Sequence, residues 1–245
     1  MVTVGIVAGE ASGDALAATL IHAVRARCPN VQFAGIAGPR MEAAGCAVWF
    51  PLEKLAVRGF VEVIAHLPEL FRIRGQLRRR LIEARVPLFV GVDAPDFNLG
   101  LERKLKRAGV RTVHFVSPSV WAWRRERLAT IGQSVNRMLA LFPFEPPLYE
   151  EAGIPVTYVG HPFAQEAATH TTRRETRELL KIRTATPVFA LLPGSRLSEI
   201  EMHASLVLET AALLAEARSD AQFLVPFVTR ATRDAFENEI GRAHV

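Results

Sequence analysis

The 245-residue sequence has only two cysteines, Cys28 and Cys46. Two cysteines give no disulfide framework, and their spacing is not that of metal ligands. No apolar run approaches the ~20 residues that span a bilayer, and Met1 leads directly into a strand-like segment without the regions of a signal peptide. From these absences we expect a cytoplasmic protein without a metal site.

Motifs for dinucleotides and for nucleic acids are also missing. The chain has no Gly-x-Gly-x-x-Gly fingerprint, no zinc finger and no RNP-type aromatic motif. The hydrophobic and charged fractions, 49% and 22%, are ordinary for a soluble globular protein. The sequence therefore disfavours a nicotinamide dehydrogenase and a nucleic-acid-binding protein.

The net charge of +5 suits a phosphorylated substrate or an anionic membrane surface. Part of the excess lies between residues 67 and 80, where apolar residues alternate with arginines and the single acid is Glu69. The segment predicts either a basic amphipathic helix on anionic lipid or a surface helix with a solvated arginine face. The arginines are Arg72, Arg74, Arg78, Arg79 and Arg80.

Short apolar segments rich in β-branched residues alternate with helical patterns, which predicts βαβ units and a parallel sheet. Turn residues at 160–162, followed by a polar stretch, indicate a domain boundary. The predicted fold class is α/β, with a complete Rossmann-like domain at residues 1–160 and the beginning of a second one at 161–245. The predicted strands cover residues 2–7, 31–36, 88–92, 112–116, 137–141, 156–159, 187–192 and 223–227, and the main helices cover 14–27, 101–108 and a segment after Arg196.

The last residues, 239–245, show no core pattern and resemble an in-frame translation of a sequencing-library adapter. We expect them to be a non-native tail, and we expect the natural protein to diverge near Asn238 and continue further. A frayed terminus is the alternative.

The segment from Leu88 to Asn98 joins an apolar strand to two carboxylates and an amide. Ligands of open α/β sheets bind outside the carboxyl ends of the strands, and Asp93 is the first residue after this strand. A carboxylate in that place is suited to act as a general base, and Pro95 stiffens the turn. The alternative is that Asp93 or Asp96 only caps the helix that follows.

Two glycine turns precede predicted helices and favour anion binding. In the loop Gly9-Glu10-Ala11-Ser12-Gly13-Asp14 the N-terminal amides of the helix could hold a phosphate, although Ser12 and Asp14 could equally be helix caps. In Gly194-Ser195-Arg196 the backbone donors, the helix end and a delocalised guanidinium form a compact site that suits a diphosphate.

Two tryptophans stand close together in the segment Ser117-Pro118-Ser119-Val120-Trp121-Ala122-Trp123-Arg124. Their side chains point to opposite sides of an extended segment and lie ~200° apart on a helix, so at most one fits easily in a core. The other is a candidate for stacking on a sugar or an acyl chain. Arg124 and Arg125 either bind a substrate phosphate or meet only water.

In order and spacing, four segments closely resemble the lipid-A-disaccharide synthase family, GT-B glycosyltransferases of Gram-negative bacteria. The resemblance extends from about Val4 to about Glu237. It implies a GT-B-like fold in which the Gly9 loop faces the acceptor cleft and Gly194-Ser195-Arg196 lies in the donor half. The four segments are Val7-Ala8-Gly9-Glu10-Ala11-Ser12-Gly13-Asp14, Phe89-Val90-Gly91-Val92-Asp93-Ala94-Pro95-Asp96-Phe97-Asn98, the Ser117 to Arg124 segment with Val116, and Leu191-Leu192-Pro193-Gly194-Ser195-Arg196.

The resemblance implies an inverting transfer of 2,3-diacylglucosamine from its UDP derivative to 2,3-diacylglucosamine 1-phosphate, which gives the β-1,6-linked lipid A disaccharide and UDP. Asp93 would accept the proton of the acceptor 6-hydroxyl, Arg196 would offset charge on UDP, and Glu10 matches a residue of functional weight. No metal or other cofactor is then required. Further substrate contacts are expected from Gly9, Ser12, Asp96, Asn98, Ser119, Trp121, Trp123, Arg124, Gly194 and Ser195.

A lipid substrate favours contact between the basic helix and the membrane, with a location in the cytoplasm at the inner membrane. No nucleic-acid partner is expected, and a homo-oligomer of the full-length protein is left open. Much of the donor domain of the family is missing, so we expect the chain to be inactive on its own. The alternatives are another UDP-sugar enzyme, such as a UDP-GlcNAc 2-epimerase, and a non-catalytic lipid-binding fragment.

Overall fold

The computed structural model describes residues 2–55, 60–122, 125–164, 172–182 and 186–243, with the backbone alone at residues 60–66, 242 and 243. The chain divides into two compact units, Met1–Ala168 and Thr169–Val245. Among the described helices, none combines the length and the apolar character needed to cross a bilayer.

The first unit is built around a parallel sheet. Its elements are β1 (Val2–Ala8), α1 (Ala11–Arg27), β2 (Val31–Ala37), α2 (Pro39–Ala43), β3 (Cys46–Pro51), α3 (Phe60–Glu83), β4 (Leu88–Val92), α4 (Pro95–Arg107), β5 (Arg111–Phe115), α5 (Arg127–Ser134), β6 (Arg137–Ala140), α6 (Pro146–Glu151) and β7 (Val156–Tyr158). The strand order is β3-β2-β1-β4-β5-β6-β7, and every neighbouring pair is parallel. Helices must therefore cover both faces of the sheet, which explains why its central strands are continuous apolar runs.

Two apolar clusters cover the two faces of this sheet. Ile6 of β1 packs with Ile21 of α1 on one face, while Phe89 of β4 packs with Leu77 of α3 and Leu101 of α4 on the other. Each of these side chains is completely buried, and burial of such a side chain stabilises the fold by about 1.5–3 kcal/mol. Helix packing on both faces therefore fixes the strand ends from which the candidate site is built.

The second unit contains one parallel strand pair joined by a helix. Its elements are α7 (Arg173–Leu179), β8 (Val188–Ala190), α8 (Leu197–Ala217), β9 (Gln222–Leu224) and α9 (Arg230–Ala243). β8 pairs with β9 in parallel, and Ile200, Ala204 and Phe236 form the core of the unit. Ile240 packs against this core, so the structure differs at this residue from the expectation that residues 239–245 show no core pattern.

Every predicted strand is present, with ends shifted by a few residues. β4 covers the predicted residues 88–92, whereas β9 ends at Leu224 rather than at residue 227. β3 was not predicted, because this edge strand is only partly buried and carries little of the continuous apolar signal. The helix predicted at 101–108 begins earlier, at Pro95, which fits the preference of proline for the first helical position.

Candidate functional site

The carboxyl ends of β1 and β4 lie side by side in the sheet. β1 pairs with β2 on one side and with β4 on the other. The chain runs outward from β1 through β2 to β3, and from β4 in the opposite direction through β5 to β7. This is the topological switch point of a doubly wound sheet, where ligands bind. The loops at Gly9-Glu10 and Asp93-Ala94 therefore flank the expected ligand crevice.

The turn at Asp93 holds two consecutive residues in the left-handed backbone conformation. The φ angle is 52° at Asp93 and 44° at Ala94, and this conformation costs about 1–2 kcal/mol for each residue other than glycine. The Asp93 amide donates to the Phe115 carbonyl, 2.9 Å away at the end of β5. The turn places the half-buried Asp93 at the carboxyl edge of the sheet.

Helix α4 is not capped by Asp93. Its N-cap residue is Ala94, which offers no capping side chain, and Asp96 lies in the first turn. The alternative that Asp93 serves only as the cap is therefore wrong. The Asp96 side chain is 87% exposed and lies 3.2 Å from the Arg127 guanidinium. It remains accessible to a ligand, and its predicted substrate contact stays a prediction.

The loop after β1 packs closely on the Asp93 turn. A Cβ atom added to Gly9 would collide with the Cβ of Ala94, so only glycine fits at position 9 beside this turn. Glu10 is the N-cap residue of α1 by its backbone, and both Glu10 and Ser12 are exposed. The loop thus brings three of the predicted site residues, Gly9, Glu10 and Ser12, to the same edge of the sheet as Asp93.

Asp14 has a structural role in the next βα unit. Its carboxylate is buried and accepts hydrogen bonds from the amides of Gly38, Arg40 and Met41 at 3.0, 3.0 and 3.1 Å. These are amides at the beginning of α2, which otherwise have no partner within the helix. Asp14 is therefore a helix cap, as one sequence alternative held, but it caps α2 rather than its own helix.

The loop after β5 carries Trp121 to the surface. Val120 is buried and the Ser117 hydroxyl lies 2.6 Å from the Tyr149 phenol oxygen, so the loop is fixed at two points. Burial raises the pKa of Tyr149 to about 12, against the opposing effect of the Ser117 hydrogen bond. The Trp121 side chain is half exposed, and Ser119 is also exposed. Trp123 and Arg124 lie outside the described residues.

Trp121 begins a series of partly exposed rings that the sequence did not predict. Their neighbouring ring centroids are 5.1–6.4 Å apart, and the exposed fractions of the Trp and Phe side chains are 39–52%. The phenylalanines and His161 follow β6 and β7, so the rule that located Asp93 at a strand end would also have found them. This aromatic series consists of Trp121, Phe144, Phe142, His161 and Phe163.

In the second unit, the loop at Gly194-Ser195-Arg196 surrounds a carboxylate of its own chain. The amides of Ser195 and Arg196 donate to Oε2 of Glu199 at 2.8 and 3.2 Å, and the Arg196 guanidinium lies 3.4 Å from Oε1. The Ser195 and Arg196 amides hold the pKa of Glu199 below its usual range. Glu199 thus lies beside the Arg196 side chain and in the first turn of α8. The loop therefore binds the carboxylate of Glu199, and its predicted binding of a diphosphate stays a prediction.

The basic helix α3 has two distinct apolar stripes. Ile73 and Leu77 are buried against the sheet, whereas Leu67 and Phe71 remain 37% and 57% exposed. The Arg74 guanidinium lies 4.8 Å from the Phe71 ring centroid, within cation–π distance. Only part of the predicted amphipathic surface is therefore used by the core.

Sequence comparisons match the chain over nearly its whole length. A family model described as "Lipid-A-disaccharide synthetase" matches residues 4–243. The lipid-A-disaccharide synthase of Chromobacterium violaceum is 57% identical over 98% of this chain and 62% of its own length. The protein of the same name from Neisseria meningitidis serogroup B is 53% identical over 94% and 60%. The chain thus spans about three fifths of the length of these curated relatives.

Solved structures share the fold at low sequence identity. A UDP-GlcNAc 2-epimerase from Neisseria meningitidis, bound to UDP-GlcNAc, superposes with a TM-score of 0.63 at 9% identity and covers 98% of this chain and 70% of its own. A UDP-N-acetylglucosamine 2-epimerase from Listeria monocytogenes, described as putative in its name, gives 0.66 at 9%, with coverages of 98% and 66%. These structural similarities confirm the predicted GT-B-like α/β fold.

Proposed function

We propose, because the chain belongs to the lipid-A-disaccharide synthetase family, that the protein is a hexosyltransferase acting on UDP-linked and phosphorylated diacylglucosamine. The reaction joins UDP-2,3-diacylglucosamine to 2,3-diacylglucosamine 1-phosphate through a β-1,6 linkage and releases UDP. The observation that carries the proposal is the Asp93 turn, which presents a carboxylate at the switch point beside the Gly9 loop.

Asp93 acts as the general base of this reaction. Its carboxylate accepts the proton of the acceptor 6-hydroxyl as that oxygen attacks the anomeric carbon of the donor and the bond to UDP breaks. Because the attack comes from the face opposite to the leaving group, one base is sufficient and the configuration inverts. A half-buried position at the edge of the crevice allows Asp93 to reach substrate while the surrounding protein limits its hydration.

Arg196 offsets the negative charge that grows on the departing UDP. Glu199 contacts the guanidinium and accepts from the Ser195 amide. A diphosphate carries more charge than one carboxylate, so it competes with Glu199 for the same donors. Glu10, at the exposed beginning of α1, contributes from the acceptor side.

The lipid part of the substrate contacts the apolar surfaces of the first unit. The exposed stripe of α3, with Leu67 and Phe71 among its arginines, lies on the anionic surface of the inner membrane from the cytoplasmic side. The half-exposed Trp121 ring contacts the acceptor sugar or its acyl chains. Both contacts use large apolar side chains that the core leaves exposed.

The proposal is tested with the full-length protein and purified acylated donor and acceptor. The wild type is expected to form disaccharide and UDP in equal amounts, whereas Asp93→Asn loses most turnover and keeps acceptor binding. The control is Glu150→Gln, which changes an exposed carboxylate on α6. This variant is expected to retain full turnover. Near-normal turnover of the Asp93→Asn variant would exclude Asp93 as the general base. Conversion of unacylated UDP-GlcNAc, without disaccharide, would identify a 2-epimerase instead.

A further inference from the structure

Asn98 is one of the residues whose side chain is completely buried. Its Nδ2 lies 2.8 Å from the Asp93 carbonyl oxygen and 3.4 Å from the Val92 carbonyl oxygen. Both neighbours are acceptors, so the amide nitrogen, which donates, is the atom that must face them. The Asn98 backbone amide also donates to the Ala94 carbonyl at 3.0 Å. One residue therefore binds the three consecutive carbonyls that form the turn.

The turn needs such support because its backbone is unfavourable. Asp93 and Ala94 both have positive φ angles, and neither is a glycine, which would adopt that conformation without steric cost. Backbone strain of this kind persists only where surrounding contacts over-determine it. The Asn98 side chain supplies the contact from inside the protein, and the Phe115 carbonyl supplies the other through the Asp93 amide.

The position of the Asn98 side chain is itself fixed. A Cβ atom added to Gly91 would lie 3.0 Å from both Cβ and Cγ of Asn98, and it would collide with Glu102. Gly91 thus leaves the space in which Asn98 packs against β4. Glu102, one helical turn further along α4, is held by His114 on β5 at 2.8 Å. The Asn98 side chain on α4 is therefore buried directly against β4 and has no exposed surface from which to contact a ligand.

We propose that Asn98 is a positioning residue that fixes the direction of the Asp93 carboxylate. The inference rests on the proposed function and replaces the expected substrate contact of Asn98 with a role through the backbone of Asp93. Loss of the Asn98 amide allows the turn to relax towards ordinary φ angles. The carboxylate then points away from the acceptor hydroxyl, while the surfaces that bind the substrates are unchanged.

Steady-state kinetics of the full-length protein separate positioning from substrate binding. In Asn98→Ala we expect kcat to fall by at least about tenfold, because small displacements of a catalytic group are costly, with the KM of each substrate changed less than about threefold. Asn98→Asp, which keeps the shape but lacks the donor, should lose at least as much. Ala94→Gly added to Asn98→Ala should restore part of kcat, since glycine tolerates the left-handed conformation.

Asn136→Ala is the matched control. The Asn136 side chain also binds backbone, accepting from the Thr112 amide at 2.9 Å, but it does so at the amino-terminal edge of the sheet. Its removal should lower stability without lowering kcat. A rise in KM with unchanged kcat in Asn98→Ala overturns the proposal in favour of substrate contact. An equal loss of kcat in Asn136→Ala overturns it in favour of general destabilisation.

Amide hydrogen exchange tests the turn without relying on turnover. In Asn98→Ala the amides of Asp93, Ala94 and the residues after Pro95 in the first turn of α4 should exchange at least about tenfold faster, and in Asn136→Ala they should keep wild-type protection. Unchanged protection in Asn98→Ala overturns the proposal. If the wild type forms no disaccharide, the proposed function fails, and this exchange still decides whether Asn98 fixes the turn.

Discussion

Nδ1 of His114 lies 2.8 Å from Oε1 of Glu102, and neither side chain has any exposed surface. The pair joins α4 to β5 directly behind Gly91, the strand partner of His114. Within the described residues, the second oxygen of Glu102 and Nε2 of His114 have no hydrogen-bond partner. Burial raises the pKa of Glu102, against the opposing effect of His114. The pair therefore ties the stability of the first unit to pH.

The Glu102→Gln variant should become more stable relative to the wild type as pH rises. A carboxyl group whose folded pKa is raised contributes its full stability below its unfolded pKa, and that contribution is lost as pH rises through the folded value. Above the ordinary value of 4.5, the wild type should therefore lose up to about 1.4 kcal/mol per pH unit relative to Glu102→Gln. Urea unfolding at a series of pH values measures the difference, with the exposed Glu83→Gln as control. Parallel stability curves for the wild type and Glu102→Gln would contradict the prediction.

The two cysteines should differ sharply in reactivity. Cys28 is exposed and Cys46 is buried, and burial, with a smaller effect of Asp14, raises the pKa of Cys46 to about 12. Only the thiolate is reactive, so at pH 8 an alkylating reagent should label Cys28 but not Cys46 in the native protein, and both in urea. Mass spectrometry of the two peptides identifies the labelled site, and in Cys28→Ser the Cys46 peptide should remain unlabelled in the native protein. Labelling of the Cys46 peptide in the native wild type would show that Cys46 is accessible.

Trp121→Ala and Phe144→Ala should each weaken acceptor binding. The rings are half exposed and in edge-to-face contact, with centroids 5.3 Å apart, so their removal costs little stability. An aromatic contact with substrate is worth about 0.5–1.5 kcal/mol, which corresponds to a rise of the acceptor KM by roughly twofold to tenfold. Leu180→Ala, an exposed apolar residue of the second unit, controls for a general effect of surface truncation. Unchanged KM values in both ring variants would remove the aromatic series from the substrate site.

The double variant Phe71→Ser/Arg72→Ser should bind anionic membranes more weakly. It removes an exposed apolar ring and an exposed charge of α3, which together contribute about 2 kcal/mol or more to interfacial binding. Sedimentation with vesicles that contain phosphatidylglycerol should show a loss of tenfold or more. Leu180→Ser/Lys181→Ser removes a comparable exposed pair from the second unit and should bind as the wild type does. Equal binding of both double variants would exclude α3 as the membrane surface.

The sequence located the end of β4, beside the candidate site, because strand ends depend on local pattern. Leu88 to Val92 is apolar since both faces of the strand are covered, and the pattern stops where the sheet stops, at Asp93. The left-handed turn itself could not be read from the sequence, because Asp93 and Ala94 give no glycine signal. Its conformation depends on Asn98 and on the Phe115 carbonyl, which reach it only in the folded chain.

Polar side chains were the hardest to assign from sequence. Asp14 looked like a cap for its own helix, yet it caps α2 across the sheet edge. Asn98 looked like a substrate contact, yet the space left by Gly91 allows it to be buried. The partners of Asp14 lie 24 to 27 residues further along the chain, where local pattern carries no information. The partners of Asn98 are only five and six residues away, but they belong to a left-handed turn that the sequence does not reveal. For Asp14, the structure agrees with the alternative of a helix cap.

The central position of β1 has a consequence for the synthesis of the chain. β1 leaves the ribosome before its two partners, and β2 can pair with one of its edges soon afterwards, whereas the other edge waits for β4. At ~5–20 residues per second, the roughly 80 residues between Ala8 and Leu88 take ~4–16 s to be made. During this interval the nascent chain presents an unpaired apolar strand edge, the kind of surface that adds strands from other chains. Chaperone protection should matter most for nascent chains shorter than about 90 residues beyond the ribosomal tunnel.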